Sequence, residues 1–89
     1  MGDLIVGRVL SVDDHPGARA PSFLLRVDLG GRGKRDAQME PGDYAKDELV
    51  GRLVVVSLED EAIVVAARSH DGPRLVVPDG DVTPGTVVA

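Results

Sequence analysis

The segment Phe23-Leu-Leu-Arg-Val-Asp-Leu29 alternates with a period of two and then stops on Gly30-Gly31. Phe23, Leu25, Val27 and Leu29 fall on one side, and Arg26 and Asp28 on the other. Successive side chains of a strand point to opposite faces, so the pattern predicts a strand with one buried face, over Ser22 to Leu29. Much of the remaining chain follows the same logic. Val dominates, and turn residues recur at short spacing. A first strand is expected over Leu4 to Val12, with Gly7 marking a bulge or bend. A third runs from Lys34 to Met39 after the Gly30-Gly31-Arg32-Gly33 turn, and Pro41-Gly42 ends it. Arg52 to Leu58 and Glu61 to Ala67 form two more, joined by a tight Glu59-Asp60 turn. A last hairpin is expected around Pro73 to Asp81, followed by an extended tail, Thr83 to Val88.

One stretch reads as a helix. In Asp43-Tyr-Ala-Lys-Asp-Glu-Leu-Val-Gly-Arg52, Asp43 is the expected cap, Tyr44, Leu49 and Val50 share a side, and Gly51 is the stop. The helix is short, near Tyr44 to Val50. Three strands, a short helix and then two or more strands define an all-β class with one helix. That order suits a five-stranded OB-fold Greek-key barrel, with a split barrel or small sandwich as the other architecture. Eighty-nine residues suit one domain, residues 1–89.

Composition narrows the function. There is no cysteine, and His15 and His70 lack metal-ligand spacing, so no metal site or cofactor is expected. The longest apolar runs, Leu53 to Val56 and Ala62 to Ala67, fall far short of the ~20 residues that cross a bilayer. No signal-peptide pattern opens the chain, and a cytoplasmic protein is expected. The net charge of −5 opposes general nucleic-acid binding, which phosphate contacts dominate. One Phe, one Tyr and no Trp leave few platforms for stacking bases.

No nucleophile is paired with a base, since Ser11, Ser22, Ser57 and Ser69 lack any triad or elbow context; an enzyme is not expected. Glu59-Asp60-Glu61 and Asp79-Gly80-Asp81 have the chemistry of cation ligands but read as solvated turns. His15-Pro16 reads as a strand-ending turn. The basic cluster Gly31-Arg-Gly-Lys-Arg35 is the place where a phosphate backbone would be met, although from composition alone a solvated hairpin turn is the favoured reading.

The order of these pieces resembles a family. Val6-Gly7, Val9, His15-Pro16-x-Ala18, Leu25, Val27, Asp28 and Gly30 resemble the opening of the tRNA-binding OB domain. That domain is appended to methionyl- and phenylalanyl-tRNA synthetases and also stands alone. Ala18, Arg19, Pro21 and Leu24 or Leu25 resemble its CsaA-like branch of small dimeric export-related chaperones. Asp36 to Glu40, Tyr44, Glu48-Leu49, Gly51-Arg52, Asp79, Pro84 and Gly85 continue the match in order along the whole chain. Two departures stand out. Asp36 replaces a Ser, and the family's segment between the fourth and fifth strands is missing, with acidic residues at the join.

The resemblance implies a non-catalytic module that holds tRNA. Arg19, Arg32, Lys34 and Arg35 would supply positive charge, and Gln38 a hydrogen-bonding group. Its alternatives are a chaperone that binds unfolded or preprotein peptide through Pro21 and Phe23 in an exposed apolar groove, and an OB scaffold without RNA binding. It also implies a homodimer.

Overall fold

Residues 3–17 and 19–88 are described by a computed structural model of the chain. The element order is β1 (Asp3–Asp14), β2 (Phe23–Asp28), β3 (Lys34–Met39), α1 (Lys46–Leu49), β4 (Leu53–Leu58), β5 (Ala62–Val64), β6 (Ala66–Ser69) and β7 (Gly72–Leu75). A short 3-10 turn, Gly30–Arg32, joins β2 to β3. β1 to β5 close a barrel in the order β1-β2-β3-β5-β4, and β6 and β7 form a separate two-stranded sheet. β3 and β5 are parallel, whereas the other barrel pairs are antiparallel. This is the expected OB architecture.

β1 is long enough to close the barrel on both sides. Its first half pairs with β4, from Asp3 opposite Leu58 to Arg8 opposite Leu53. Its second half pairs with β2, from Arg8 opposite Asp28 to Asp14 opposite Phe23. The register shifts between Val9 and Ser11, which leaves Leu10 as an extra residue. The bulge reverses the alternation, so Ile5 and Val9 face the core before it and Val12 packs against the core after it. The bulge therefore sits at Leu10 rather than at Gly7. Gly7 has a different task. A Cβ there would lie 2.3 Å from Val27 Cγ1 and 2.8 Å from Leu29 Cδ2, so β1 approaches β2 more closely than any side chain allows.

The core is the set the alternation implied. Phe23, Leu25, Val27 and Leu29 are buried with Ile5, Val9, Ala37, Met39, Val54, Val56, Ala62 and Val64. Leu49 from α1 joins them, and Tyr44 packs at the margin. Val50 is exposed and does not share their side. Asp43 does not cap α1. Ala45 stands at the N-cap, and the Glu48 carboxylate reaches back to accept its N–H at 2.6 Å. Asp43 lies instead 4.0 Å from Arg74. The two-residue offset follows from Pro41, whose carbonyl accepts the Tyr44 N–H and turns the chain before the helix begins.

The expected strand Glu61 to Ala67 breaks at Val65. The Val65 N–H still donates to the Val55 carbonyl in the β4–β5 register, but its own carbonyl accepts the Val76 N–H, and from Ala66 the chain leaves the barrel to pair with β7. The last hairpin is thus β6–β7, turning at Ser69 to Gly72, and not one centred on Pro73 to Asp81. The tail returns to the barrel. The Thr86 carbonyl accepts the Val6 N–H, Gly85 donates to Val6, and Val88 donates to Leu4, at 2.7 to 2.9 Å. It occupies the edge of β1 that β2 leaves bare. The seam is tight at Gly30 and Gly85, both with positive φ. A Cβ on Gly30 would meet the Pro84 carbonyl oxygen at 2.2 Å, and one on Gly85 the Leu29 carbonyl oxygen at 2.7 Å. Among the described residues no helix is long and apolar enough to cross a membrane.

Two stability outcomes follow. Leu25→Ala empties a fully buried site and should cost about 2–5 kcal/mol in urea unfolding. Gly7→Val should destabilise by roughly 1–3 kcal/mol or more through overpacking. A Gly7→Val protein as stable as the parent would show that β1 and β2 separate freely.

Candidate functional site

OB barrels take their ligands on the outer face of the second and third strands, between the first and fourth connecting loops. Here that face is built from three cross-strand pairs, Leu24 with Gln38, Arg26 with Asp36, and Asp28 with Lys34. All six residues lie on the parity opposite the core. Arg26 Nη1 and Asp36 Oδ1 are 3.2 Å apart, both half exposed. Asp28 Oδ1 accepts the Gly30 N–H at 2.9 Å. The Asp36 carboxylate is thus compensated locally by Arg26, and the middle of the face carries balanced charge.

The expected cations do not form one patch. Arg32 and Lys34 are exposed at the 3-10 turn and the start of β3. Arg35 has the core-facing parity of Ala37 and Met39, but it sits at the barrel end and is half-buried. Its Nη2 donates to the Glu59 carbonyl at 3.3 Å. Arg19 lies in the β1–β2 loop, at the Phe23–Met39 end, about 17 Å along β3 from Lys34. Ala18, part of the His15-Pro16-x-Ala18 resemblance, lies outside the described residues. His15 closes that loop by donating its backbone N–H to the Ser22 carbonyl at 2.9 Å. Its Nδ1 is buried with no hydrogen-bond partner.

The ion pairs nevertheless separate the cations into two groups. Arg8, Arg26, Lys46, Arg68 and Arg74 each lie 3.0 to 4.0 Å from a carboxylate. Arg52 instead lies over the Tyr44 ring at 5.9 Å. Among the described residues no carboxylate pairs with Arg19, Arg32, Lys34 or Arg35. These are the four cations singled out from sequence, and three of them stand together at the β2–β3 turn.

The acidic join does reach the face. Gln38 Nε2 donates to Glu61 Oε2 at 3.2 Å, which sets a carboxylate against β3. Among the described residues no group of three His, Asp or Glu could hold a metal ion. Phe23 is a core residue, 9% exposed, with Lys46 Nζ 6.0 Å from its ring centre. It is therefore not part of an exposed apolar groove, because β2 turns it into the barrel with Leu25. Pro21 is exposed and lines an open cavity of about 420 Å³ with Ser22, Gln38, Ile63, Arg68 and Pro73. Sequence reasoning missed Ile63, Arg68 and Pro73. They reach the cavity only through the parallel β3–β5 pairing and the β6–β7 hairpin, which no local pattern announces.

The surface pair on this face should contribute little. A double-mutant cycle on Arg26→Ala and Asp36→Ala should return a coupling below about 1 kcal/mol, since exposed pairs are screened by water and salt.

No protein-family model matches the chain. The chain is 32% identical to a methionine–tRNA ligase of Thermotoga maritima over 98% of its own length, and 30% identical to that of Thermococcus onnurineus over 93%. It spans only 15% and 13% of those ligases. Its fold superposes on the crystal structure of the CsaA chaperone protein from Picrophilus torridus with a TM-score of 0.90 and 27% identity, covering 99% of this chain and 92% of that one. A MetRS related protein from Pyrococcus horikoshii shares the fold, with a TM-score of 0.78 and 20% identity over 99% of this chain and 90% of that one.

Proposed function

We infer that this chain, which belongs to the OB-fold family shared by CsaA-type proteins and a segment of methionine–tRNA ligases, is a non-catalytic module that binds tRNA. The observation that carries this reading is the similarity of nearly the whole chain to one segment of an enzyme that acts on tRNA. Three cations without carboxylate partners, Arg32, Lys34 and Arg35, indicate where the backbone would be met. Arg19 would add a contact at the far end of β3, and Gln38 one to an RNA hydroxyl or base edge. A cytoplasmic setting accords with such a ligand.

The mechanism is electrostatic. Each phosphate neutralised by Lys or Arg releases counterions, so affinity falls as salt rises. The net charge of −5 and the Glu61 carboxylate beside Gln38 oppose the polyanion, so binding is weak and anchored chiefly at the cationic end. A second reading is favoured by the likeness to the CsaA chaperone and by the cavity beside Pro21. In that reading the module binds unfolded peptide, with Pro21 and Ile63 as the apolar contacts in place of the buried Phe23. On the same footing the chain is proposed to be a single domain and to form a homodimer. Val87, 53% exposed on the tail strand, supports an association that buries that edge.

Titration of labelled tRNA at 20 to 200 mM salt tests the main reading. The expected result is a log–log salt slope that falls by about one unit for each phosphate contact removed. Arg32→Glu with Lys34→Glu, both at exposed positions, should abolish binding while leaving the unfolding free energy within about 0.5 kcal/mol of the parent. Absence of binding at the lowest salt overturns the reading. Retained peptide binding in the double variant would then favour the chaperone alternative. Sedimentation at micromolar concentration should give the dimer mass, and a monomer mass refutes that part.

A further inference from the structure

The outward row of β3 runs Lys34, Asp36, Gln38, and it ends at the mouth of the 420 Å³ cavity. A strand that starts on the cationic turn and follows β3 is led into that opening. Cavities that take small ligands begin near 300 Å³, so this one accepts a single nucleotide and excludes a duplex. Its walls are apolar where a base would lie, against Pro21, Ile63 and Pro73. Ile63 is 48% exposed on β5, directly beside Gln38 in the parallel register.

Two polar groups define what fits. The Gln38 amide has a fixed orientation, because Nε2 donates to the Glu61 carboxylate, which accepts only. Its Oε1 accepts no hydrogen bond among the described residues, and so offers an acceptor in the cavity. At the rim, the Arg68 guanidinium is 84% exposed and lies 3.5 Å from Glu40. A pair this exposed exchanges readily for a phosphate.

Resting on the tRNA-binding reading, we propose that this cavity receives one unpaired nucleotide of the bound RNA. Its base lies between Pro21 and Ile63, and its phosphate meets Arg68. Where the base edge carrying pyrimidine position 4 or purine position 6 meets the Gln38 acceptor, an exocyclic amino donor is favoured there over a carbonyl. Adenine N6 and cytosine N4 supply one, and the uracil carbonyl oxygen in the same place repels it. The site therefore selects adenine or cytosine over uracil. In the absence of an aromatic platform, selection rests on the hydrogen bond more than on stacking.

The test uses the full chain with single-stranded tetranucleotides of adenine, cytosine or uracil, and with tRNA in parallel, at low salt. The adenine or cytosine tetramer is expected to bind at least fivefold tighter than the uracil tetramer. Gln38→Leu should bring that ratio to about one, with the loss falling on the adenine and cytosine tetramers rather than arising as a gain by the uracil tetramer. Ala66→Met, which fills the cavity, should weaken all tetramers at least tenfold. The wild-type ratio is decisive even if the Met variant fails to fold. Salt-dependent tRNA binding with no preference among tetramers overturns the cavity proposal and leaves the tRNA reading standing. Failure of every RNA species overturns both. An apolar decapeptide displaced by Ala66→Met, with no tetramer bound, assigns the cavity to peptide and likewise overturns the proposal.

Discussion

Everything in this fold depends on one strand being paired along both edges. β1 gives its first half to β4 and its second half to β2, and without that division five short strands would remain an open sheet. The division requires that inward and outward residues change over partway along the strand. The extra residue at Leu10 makes the change, at the point where pairing to β2 becomes dominant. It also requires β1 and β2 to cross closely at Gly7. Closure then fixes β3 with its outer row facing solvent, and β5 parallel to it. The candidate site is a by-product of the closing geometry, since Gln38 and Ile63 become neighbours only when β5 fills the gap between β3 and β4.

Charge is arranged around this frame in a way net charge conceals. A chain of −5 looks hostile to a polyanion. Yet half of its cations are held by carboxylates, and the others fall mainly at one turn. Local field, rather than the total, decides whether a phosphate is attracted within a Debye length of about 10 Å at 0.1 M salt. Asp36 illustrates the difference. From sequence it counts against a polyanion, whereas in the fold Arg26 neutralises it across the strand pair.

Legibility followed the range of the interaction concerned. The Phe23 to Leu29 alternation is local, and every inward position it named is buried. The third strand is bounded by glycine before it and Pro41 after it, and its ends agree with the structure. The helix cap was misplaced because Pro41 turns the chain, which leaves Asp43 outside the helix. The break at Val65 was invisible for another reason. The apolar run Ala62 to Ala67 is unbroken, but its pairing partner changes at Val65, from β4 through the Val55 carbonyl to the β7 side through the Val76 N–H, and no local pattern marks the exchange. The four cations without a carboxylate partner were legible as residue types. Their separation into a cluster of three and a distant Arg19 was not, because it depends on which end of the β2–β3 hairpin each loop occupies. Phe23 shows the limit of reading one residue in two roles. The period that made it core also excluded it from the surface groove.

The seam between the tail and the Gly30–Arg32 turn joins main chain to main chain, with glycine on each side. Such a joint constrains how the sequence can drift. Thr86 and Val87 meet β1 through backbone atoms, so many side chains at those positions would serve equally well. Gly30 and Gly85 have no such latitude, and neither can change without moving the other's carbonyl neighbour. Two positions more than fifty residues apart are therefore each held to glycine by the other's neighbour, and the cationic turn is tied to the tail at that joint.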